Sequence, residues 1–348
     1  MFGDEPVKMP QRIAFLLLPN FSMLAFTSSV EPLRAANRER GRELYAWQTL
    51  SVDGAPVGAS NGVVISPARS IHEPLAADVL FVCAGVRANQ FRDQAAMARL
   101  RELAATGMPL GGVCSGALAL ARAGLLDRYR CTIHWEYVEA FVELFPELQV
   151  TATLYEVDRD RYTCSGGTAP LDMMIASIAA DHGEDLAVSA AEQMLHTLVR
   201  HPHDTQRMPV KHRTGITNGK LMGAIAHMEA YLEQPLKLSE LAASVGLSTR
   251  QLERLFSEQL QTTPSRYYLE LRLRRARLLL RQTDMPVLQI AVATGFASAS
   301  HFARRYREHF GRSARDERGS IERVPGSAVA QNEPSGVAGA DGMAATDR

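Results

Sequence analysis

Cys114 and His134 are the residues of this chain whose types and setting best suit chemistry. Cys114 is the middle residue of GVCSG at 112–116, whose small neighbours permit the sharp strand-to-helix turn of a nucleophile elbow. At the start of a helix, the helix dipole is expected to lower the pKa of this thiol and to favour bound anions. His134 follows 20 residues later and would assist a cysteine nucleophile. An inert buried cysteine and a structural histidine fit the same pattern, so the pair alone leaves both interpretations open.

Aromatic residues follow His134 directly. Trp135 and Glu136 combine an aromatic face with a carboxylate, which suits a cationic amine or a quaternary ammonium group. Tyr137, Phe141 and Phe145 are spaced by four residues, so we expect Phe141 and Phe145 to belong to a helix core. The predicted ligand-binding residues are Cys114, Ser115, His134, Trp135 and Glu136. No metal and no other cofactor is expected.

Buried strands that alternate with helices are predicted to position these residues. Apolar runs of strand length lie at 13–19 and 78–85, and each is followed by a helical pattern. A short strand leads into GVCSG, and another at 162–167 precedes a helix over 169–180, with Thr168 as its N-cap. This alternation indicates an α/β, flavodoxin-like parallel sheet covered on both faces, with ligands at the C-terminal ends of the strands.

The segment GGVCSGALALARAGLLDRYRCTIHW at 111–135 resembles the cysteine elbow and downstream histidine of PfpI-like domains, relatives of class I glutamine amidotransferases. The resemblance extends over roughly residues 12–198. In enzymes of that superfamily the cysteine is the nucleophile, and an acidic residue on the first helix commonly supports it. Ala25 stands where that acid is expected, so we interpret Cys114 and His134 as a vestigial elbow in a ligand sensor without catalytic residues. The alternative is a cysteine hydrolase or amidotransferase-like enzyme that uses the two residues.

Two similar units near the C-terminus predict a pair of helix-turn-helix motifs. Residues 236–260 read as a helix, a turn at Gly246 and a second helix, in which Ser248 and Gln251 form a capping box. Residues 286–311 repeat the layout, with Phe302 and Tyr306 where Leu252 and Phe256 stand in the first unit. Thr217 to Arg318 carries 16 Lys and Arg against 10 Asp and Glu, a net +6 that leaves −6 for the rest of the chain.

An arginine-rich helix is predicted between the two units, from Pro264 to Gln282. It would span roughly 28 Å and could hold two recognition helices in successive major grooves, about 34 Å apart. Its arginines, Arg274 included, are expected to contact phosphates or form internal ion pairs, whereas the starts of the recognition helices read bases. The predicted DNA-binding residues are Thr249, Arg250, Gln251, Arg254, Arg274, Ser298, Ser300, His301, Arg304 and Arg305. Gln251 is compromised as a base reader if the capping box occupies its side chain.

The C-terminal module, over residues 221–318, resembles the AraC family, and the segment from 272 to 313 is close to its signature. Two departures are mild: Gln261 replaces a usual glycine, which would strain the end of the first recognition helix, and Ala314 replaces a usual proline. The combination with a PfpI-like domain resembles the GlxA-type subgroup of AraC transcription regulators. That resemblance implies a bacterial homodimer that senses a metabolite, often an amino acid or an amine. It also implies control of catabolic genes as an activator, with promoter DNA and RNA polymerase as partners. The pairing of Trp135 with Glu136 adds quaternary ammonium compounds to the expected ligands.

Composition sets the domain layout. The chain has 348 residues, 46% hydrophobic and 22% charged, which excludes wholesale disorder and suggests two domains. Four cysteines without a CxxC pair exclude a disulfide scaffold and a typical zinc site. Without a signal-like or membrane-spanning segment we expect a cytoplasmic protein with no membrane contact. The predicted layout is a flexible N-terminus at 1–11, a sensing domain at 12–200, a linker at 201–216, a DNA-binding domain at 217–318 and a disordered tail at 319–348.

Overall fold

The structure is a computed structural model and describes residues 9–207 and 216–319. Parts of three segments from the sequence-based layout lie outside the described residues. These parts are residues 1–8 of the flexible N-terminus, 208–215 of the linker and 320–348 of the tail.

The N-terminal half is built on a parallel sheet, as predicted. Within the described residues its seven strands are β1 Gln11–Leu17, β2 Tyr45–Ser51, β5 Arg69–Ser70, β6 Val79–Cys83, β7 Leu110–Val113, β10 Tyr155–Asp158 and β11 Arg161–Cys164. Their order in the sheet is β10-β11-β7-β6-β1-β2-β5. Five of them, in the order β2-β1-β6-β7-β11, have the arrangement of a flavodoxin-like sheet. All pairings are parallel except that of the edge strand β10 with β11.

Two short strand pairs flank this sheet. Val57–Gly58 (β3) pairs with Val64–Ile65 (β4) in an antiparallel manner. Arg130–Thr132 (β8) pairs with Gln149–Thr151 (β9) in a parallel manner. Strand β8 ends two residues before His134, so this second pair supports the predicted ligand segment.

Helices cover both faces of the sheet, and the side chains of β1 alternate between them. Ile13, Phe15 and Leu17 pack into one buried cluster, and Ala14 and Leu16 into the other. Up to residue 207, the described helices are α1 Met23–Arg40, α2 Gln94–Ala105, α3 Ala117–Arg122, α4 Val138–Leu144, α5 Ala169–His182 and α6 Glu184–Gln193. A 3-10 turn at Ala88–Gln90 lies between β6 and α2.

The C-terminal half is helical and contains the two predicted helix-turn-helix units. Leu252 and Phe256 lie in the core of the first unit, and Phe302 and Tyr306 lie in the core of the second. The helices are α7 Gly219–Ala230, α8 Leu238–Ser244, α9 Thr249–Leu260, α10 Pro264–Gln282, α11 Val287–Ala293, α12 Ala299–Phe310 and α13 Ala314–Gly319. Helix α10 has the predicted bounds and joins the two units, because Tyr268 packs in the first core and Leu273 in the second.

The two halves meet at helices α4 and α10. Ala140 of α4 is 2% exposed and packs in the core of the second helix-turn-helix unit. Arg275 of α10 lies 3.1 Å from Glu139, and Arg92 lies 2.7 Å from Asp284, which follows α10. Across residues 9–207 and 216–319, no helix combines the length and the apolar character needed to cross a membrane.

Candidate ligand site and DNA-binding surface

Cys114 sits on a strained turn between β7 and α3. Its φ of 60° lies in the left-handed region, which a side-chain-bearing residue rarely adopts without support. The support comes from β11, because the Cys114 N–H donates to the Cys164 carbonyl over 3.0 Å. Gly166, at φ +84°, approaches so closely that a Cβ there would lie 2.8 Å from the Cys114 Sγ. The predicted elbow geometry is therefore confirmed.

The chemistry of this thiol differs from the expectation. Burial raises the pKa of Cys114 to about 11, although hydrogen bonds with Ser115 oppose the rise. The expected lowering by the helix dipole is wrong, because α3 has only six residues and the thiol is 8% exposed. Ala25 is fully buried in the same cluster as Cys114, so no carboxylate stands at that position. At neutral pH Cys114 is a protonated thiol.

The segment that contains His134 passes directly over this turn. The His134 N–H donates to the Cys114 carbonyl over 3.3 Å, and its Nδ1 accepts a hydrogen bond from the Glu136 N–H. Burial lowers the pKa of His134, and the Glu136 carboxylate, 4.0 Å away, only partly opposes this shift. His134 is therefore mainly neutral near pH 7, which leaves Glu136 as the charged group beside it.

The ring of Trp135 is half exposed, and a cation of the same chain lies over it. The Arg207 guanidinium carbon is 4.8 Å from the ring centroid. The preceding residue, Gln206, holds this arginine in place, because its Nε2 donates to Thr132 Oγ1 and to the Ile133 carbonyl, each over 3.0 Å. Arg207 is a functional candidate that the sequence interpretation missed, since 72 residues separate it from Trp135.

The helical aromatic residues belong to the core, as expected for Phe141 and Phe145. Phe141 is 1% exposed, and Phe145 packs against the same cluster. Tyr137 is buried beside them, and its hydroxyl donates to the Gly85 carbonyl over 3.4 Å. Ser115, a predicted ligand residue, donates its hydroxyl to the same carbonyl over 2.7 Å. Both side chains therefore anchor the loop that follows β6.

A cavity of about 680 Å³ lies next to that loop, at the C-terminal ends of β1 and β2. Its polar lining includes Asn20, Asp53, Arg87 and Arg92. The five predicted ligand residues lie outside this lining, so the structure does not bring them into this cavity.

Asp172 is part of a structural clamp. Its carboxylate is fully buried and accepts hydrogen bonds from Arg200 Nη2 at 2.6 Å and from Arg200 Nε at 3.0 Å, and it lies 2.8 Å from His196 Nε2. Thr168 stands at the predicted N-cap position of α5, but its hydroxyl accepts from Arg200 Nη2 instead of capping the helix. The clamp fixes the chain after α6 against the sensor domain.

The first recognition helix, α9, presents its start to solvent. Ser248 Oγ accepts from the Gln251 N–H, and Gln251 Oε1 accepts from the Ser248 N–H, so the predicted capping box is confirmed. Gln251 therefore spends its carbonyl oxygen within the protein. Thr249, Arg250 and Arg254 are exposed, as predicted, and Arg254 is near Glu258 at 3.7 Å.

The second recognition helix, α12, has the same arrangement. Ser298 is its N-cap, and its hydroxyl accepts from the His301 N–H over 3.2 Å. Ser300, His301 and Arg304 are exposed. Arg305 is half-buried and pairs with Glu308 at 3.0 Å. The structure thus places the predicted base readers at equivalent starts of two helices.

The arginines of α10 divide into four groups with different contacts. Arg272 donates to the carbonyls of Thr294 and Gly295, which end the first helix of the second unit. Arg277 and Arg281 both bind the fully buried carboxylate of Glu317. Arg275 faces the sensor domain. Arg266 and Arg274 are the two exposed ones near Glu270, at 3.5 and 3.9 Å, and remain suited to phosphate contacts.

Comparisons with known proteins agree with this architecture. Residues 11–180 match the DJ-1/PfpI family, and residues 241–320 match a helix-turn-helix domain family. The chain is similar to the HTH-type transcriptional regulator GbdR of Pseudomonas aeruginosa, with 48% identity over 89% of this chain and 84% of GbdR. It is also similar to CdhR of Pseudomonas aeruginosa, with 45% identity over 94% and 97% of the two chains. For GlxA of Rhizobium meliloti the identity is 40% over 94% and 100%.

The chain is a GlxA-type transcriptional regulator of the AraC family. A crystal structure of an AraC family transcriptional regulator from Pseudomonas putida resembles this regulator with a TM-score of 0.50 and 32% identity. It covers 53% of this chain and 100% of its own. The predicted resemblances, of the elbow segment to PfpI-like domains and of the two helix-turn-helix units to the AraC family, are therefore confirmed.

Proposed function

We propose that this regulator senses a small organic cation with its N-terminal domain and in response changes how its helix-turn-helix units act at promoters. The ligand class comprises amino acids, amines and quaternary ammonium compounds, bound at Trp135 and Glu136. By analogy with the family, the regulator acts in the cytoplasm as a homodimer that recruits RNA polymerase and activates catabolic genes. Population shift provides the mechanism, because a ligand stabilises the domain arrangement that it binds more tightly.

The observation that supports sensing over catalysis is the state of Cys114. A thiol with a pKa of about 11 supplies little thiolate near pH 7. The buried Ala25 provides no acid in the same cluster. His134 contacts the Cys114 carbonyl through its backbone, so the segment is well placed to line a binding site.

A cationic ligand is favoured by the surroundings of Trp135. The ring holds a guanidinium at 4.8 Å, within the range in which aromatic faces attract cations. Because burial lowers its pKa, His134 offers little positive charge to the Glu136 carboxylate 4.0 Å away, and Glu139 follows three residues later. An ammonium group would therefore find an aromatic face and negative charge together.

DNA recognition is assigned to the two exposed helix starts. Arg250, Arg254 and Arg304 are proposed to read bases, because arginine forms paired hydrogen bonds with guanine. Thr249, Ser300 and His301 complete these contacts, whereas Arg274 contacts phosphate. Ser298 and Gln251 act chiefly as helix caps, and Arg305 is held by Glu308.

Thermal unfolding of the full chain tests the ligand class. The panel contains amines, quaternary ammonium compounds, amino acids and, as a control class, small carboxylates. At one hundred times its Kd, a ligand adds about 2.7 kcal/mol of stability and raises Tm by roughly 2–4 °C. A response confined to cationic compounds and lost in both Trp135→Leu and Glu136→Gln supports the proposal. A response that survives both substitutions would place the ligand elsewhere.

A turnover assay separates the enzyme alternative. Cys114→Ala is expected to keep the ligand-induced rise in Tm, because the thiol is not needed as a nucleophile. Hydrolysis or amide transfer by the wild type that disappears in Cys114→Ala would identify an enzyme instead. Sedimentation of the full chain at several concentrations tests the proposed homodimer independently.

A further inference from the structure

Arg207 joins the candidate ligand site to the DNA-binding half. On one side its guanidinium lies over the ring of Trp135, and on the other it lies 3.9 Å from the Glu229 carboxylate. Glu229 belongs to α7, the helix that precedes the first helix-turn-helix unit. A single side chain thus contacts both halves of the protein.

Carboxylates from both halves of the protein lie around this contact. Glu139 and Glu143 of α4 face Arg275, at 3.1 and 4.0 Å. Burial raises the pKa of Glu139, the arginines Arg275 and Arg207 oppose this, and Glu143 and Glu229 raise it further. Arg207 and Arg275 thus lie beside carboxylates contributed by both α4 and α7. We call these five residues, Glu139, Glu143, Arg207, Glu229 and Arg275, the interdomain cluster.

The cluster is adjacent to the ligand segment. Helix α4 begins two residues after Glu136, and its Ala140 packs in the core of the second helix-turn-helix unit. The Arg275–Glu139 pair is close, but its angles fall short of a hydrogen bond. The Arg207–Glu229 contact is longer, at 3.9 Å, and the Arg207 side chain is 43% exposed, against 17% for Arg275. An added cation can therefore displace Arg207 more easily than Arg275.

From these contacts we propose that Arg207 is an internal occupant of the cation site on Trp135, which an ammonium ligand must displace. Displacement breaks the Arg207–Glu229 pair and loosens the attachment of α7 to the sensor domain. This inference rests on the proposed function, because it takes the aromatic face of Trp135 as the ligand site. It adds the direction of the coupling, because binding of the cation releases Arg207 from the ring of Trp135.

The competition predicts an unusual mutational effect. Removing a residue that contacts the ligand weakens binding, whereas removing an internal competitor strengthens it. Exposed cation–π contacts contribute on the order of 0.5–1 kcal/mol, so Arg207→Gln should lower the Kd for a cation about two- to five-fold.

The measurement uses the tetramethylammonium ion as probe and Trp135 fluorescence as signal. The full chain carries Trp47→Phe, because Trp47 is the other tryptophan of the chain. Sodium chloride of equal concentration controls for ionic strength. Arg159→Gln is the matched control, because Arg159 also lies over an aromatic ring, that of Tyr129, at 3.9 Å. This substitution should leave the Kd unchanged.

Hydrogen exchange tests the coupling. Tetramethylammonium should speed amide exchange in α7 of the wild type, and Arg207→Gln should show that faster exchange without the ion. Glu229→Gln should also show fast amide exchange in α7. In this variant Arg207 still covers the ring of Trp135, so the Kd for tetramethylammonium should fall less than in Arg207→Gln.

The outcomes separate the two proposals. Equal or weaker binding in Arg207→Gln, with clear binding in the wild type, overturns the competition and leaves the cation site standing. No binding in either protein overturns the cation site and the competition together. Exchange in α7 that is unaffected by the ion and by both substitutions overturns the coupling.

Discussion

Gln261 and Gly311 occupy equivalent positions at the ends of the two recognition helices, 50 residues apart, and both adopt a left-handed conformation. Their φ angles are 53° and 70°. Glycine adopts this conformation without steric cost, whereas a residue with a Cβ does not. The strain that the sequence predicts at Gln261 is therefore present, and the second unit avoids it.

Gln261→Gly is expected to stabilise the protein by about 1 kcal/mol, because it removes this strain at an exposed position. Urea unfolding measures the change. Gly311→Ala is the matched opposite: a Cβ would meet no atom within 4 Å there, so only the backbone conformation opposes it. It should destabilise by a similar amount. If both substitutions left the free energy of unfolding unchanged, the two helix ends would not limit stability.

Arg274→Ala should weaken binding to all DNA sequences alike and lower the salt dependence of binding by about one phosphate contact. Its side chain is 65% exposed, so stability should not change. Arg272→Ala is the contrasting variant on the same helix. It removes the hydrogen bonds to Thr294 and Gly295 and should cost about 2 kcal/mol of stability. Fluorescence anisotropy at several salt concentrations and urea unfolding separate the two effects.

Arg250→Ala and Arg304→Ala should each relax sequence preference at one or two base pairs, by about 1–3 kcal/mol of discrimination. Selection of binding sites from random DNA, followed by competition with single-base variants, measures this. Arg307→Ala, an exposed arginine on the later part of α12, is the control. Unchanged discrimination in both variants would show that the base readers lie elsewhere.

Local patterns in the sequence predict much of this architecture. Helix α10 begins at Pro264 and ends at Gln282 as predicted, because an N-capping Thr263 and the apolar spacing are local signals. The capping box at Ser248 and the elbow at Cys114 are short-range features for the same reason. The parallel sheet follows from continuous apolar strands, which need cover on both faces.

Long-range contacts explain what the sequence interpretation missed. The arginines of α10 look alike along the chain, yet Glu317, 36 residues beyond Arg281, decides that two of them are structural. Arg207 lies over Trp135 next to Gln206, whose side chain fastens the chain to the end of β8. The pKa of the Cys114 thiol is raised by burial, which its position at the start of a helix does not reveal.

Glu317 should make the second helix-turn-helix unit sensitive to acid. Its carboxylate is fully buried. Burial favours the protonated form, but hydrogen bonds from Arg277 and Arg281 outweigh it and lower the pKa below the ordinary 4.5. A lowered folded-state pKa stabilises the protein above the unfolded value, and this stability is lost as the pH falls through the folded one.

Glu317→Gln should therefore cost about 3 kcal/mol near pH 7, where it leaves the arginines without their partner. Below pH 4.5 the difference from the wild type should shrink, because the wild-type carboxylate becomes protonated. Urea unfolding of both proteins at pH 7, 5, 4 and 3 measures this difference in the free energy of unfolding. A difference that stays constant over this range would mean that the pKa of Glu317 is the same in the folded and unfolded states.

Cys114 should react slowly with iodoacetamide at neutral pH, because a pKa of about 11 leaves the thiol protonated. Its alkylation rate is expected to rise about tenfold per pH unit from pH 7 to 9.5, without a plateau, while circular dichroism confirms that the fold persists. Cys114→Ala gives the background from the other buried cysteines. A plateau near pH 7 would reveal a thiolate at the elbow. Such a thiolate would favour the enzyme interpretation, because a nucleophile must be ionised where it works.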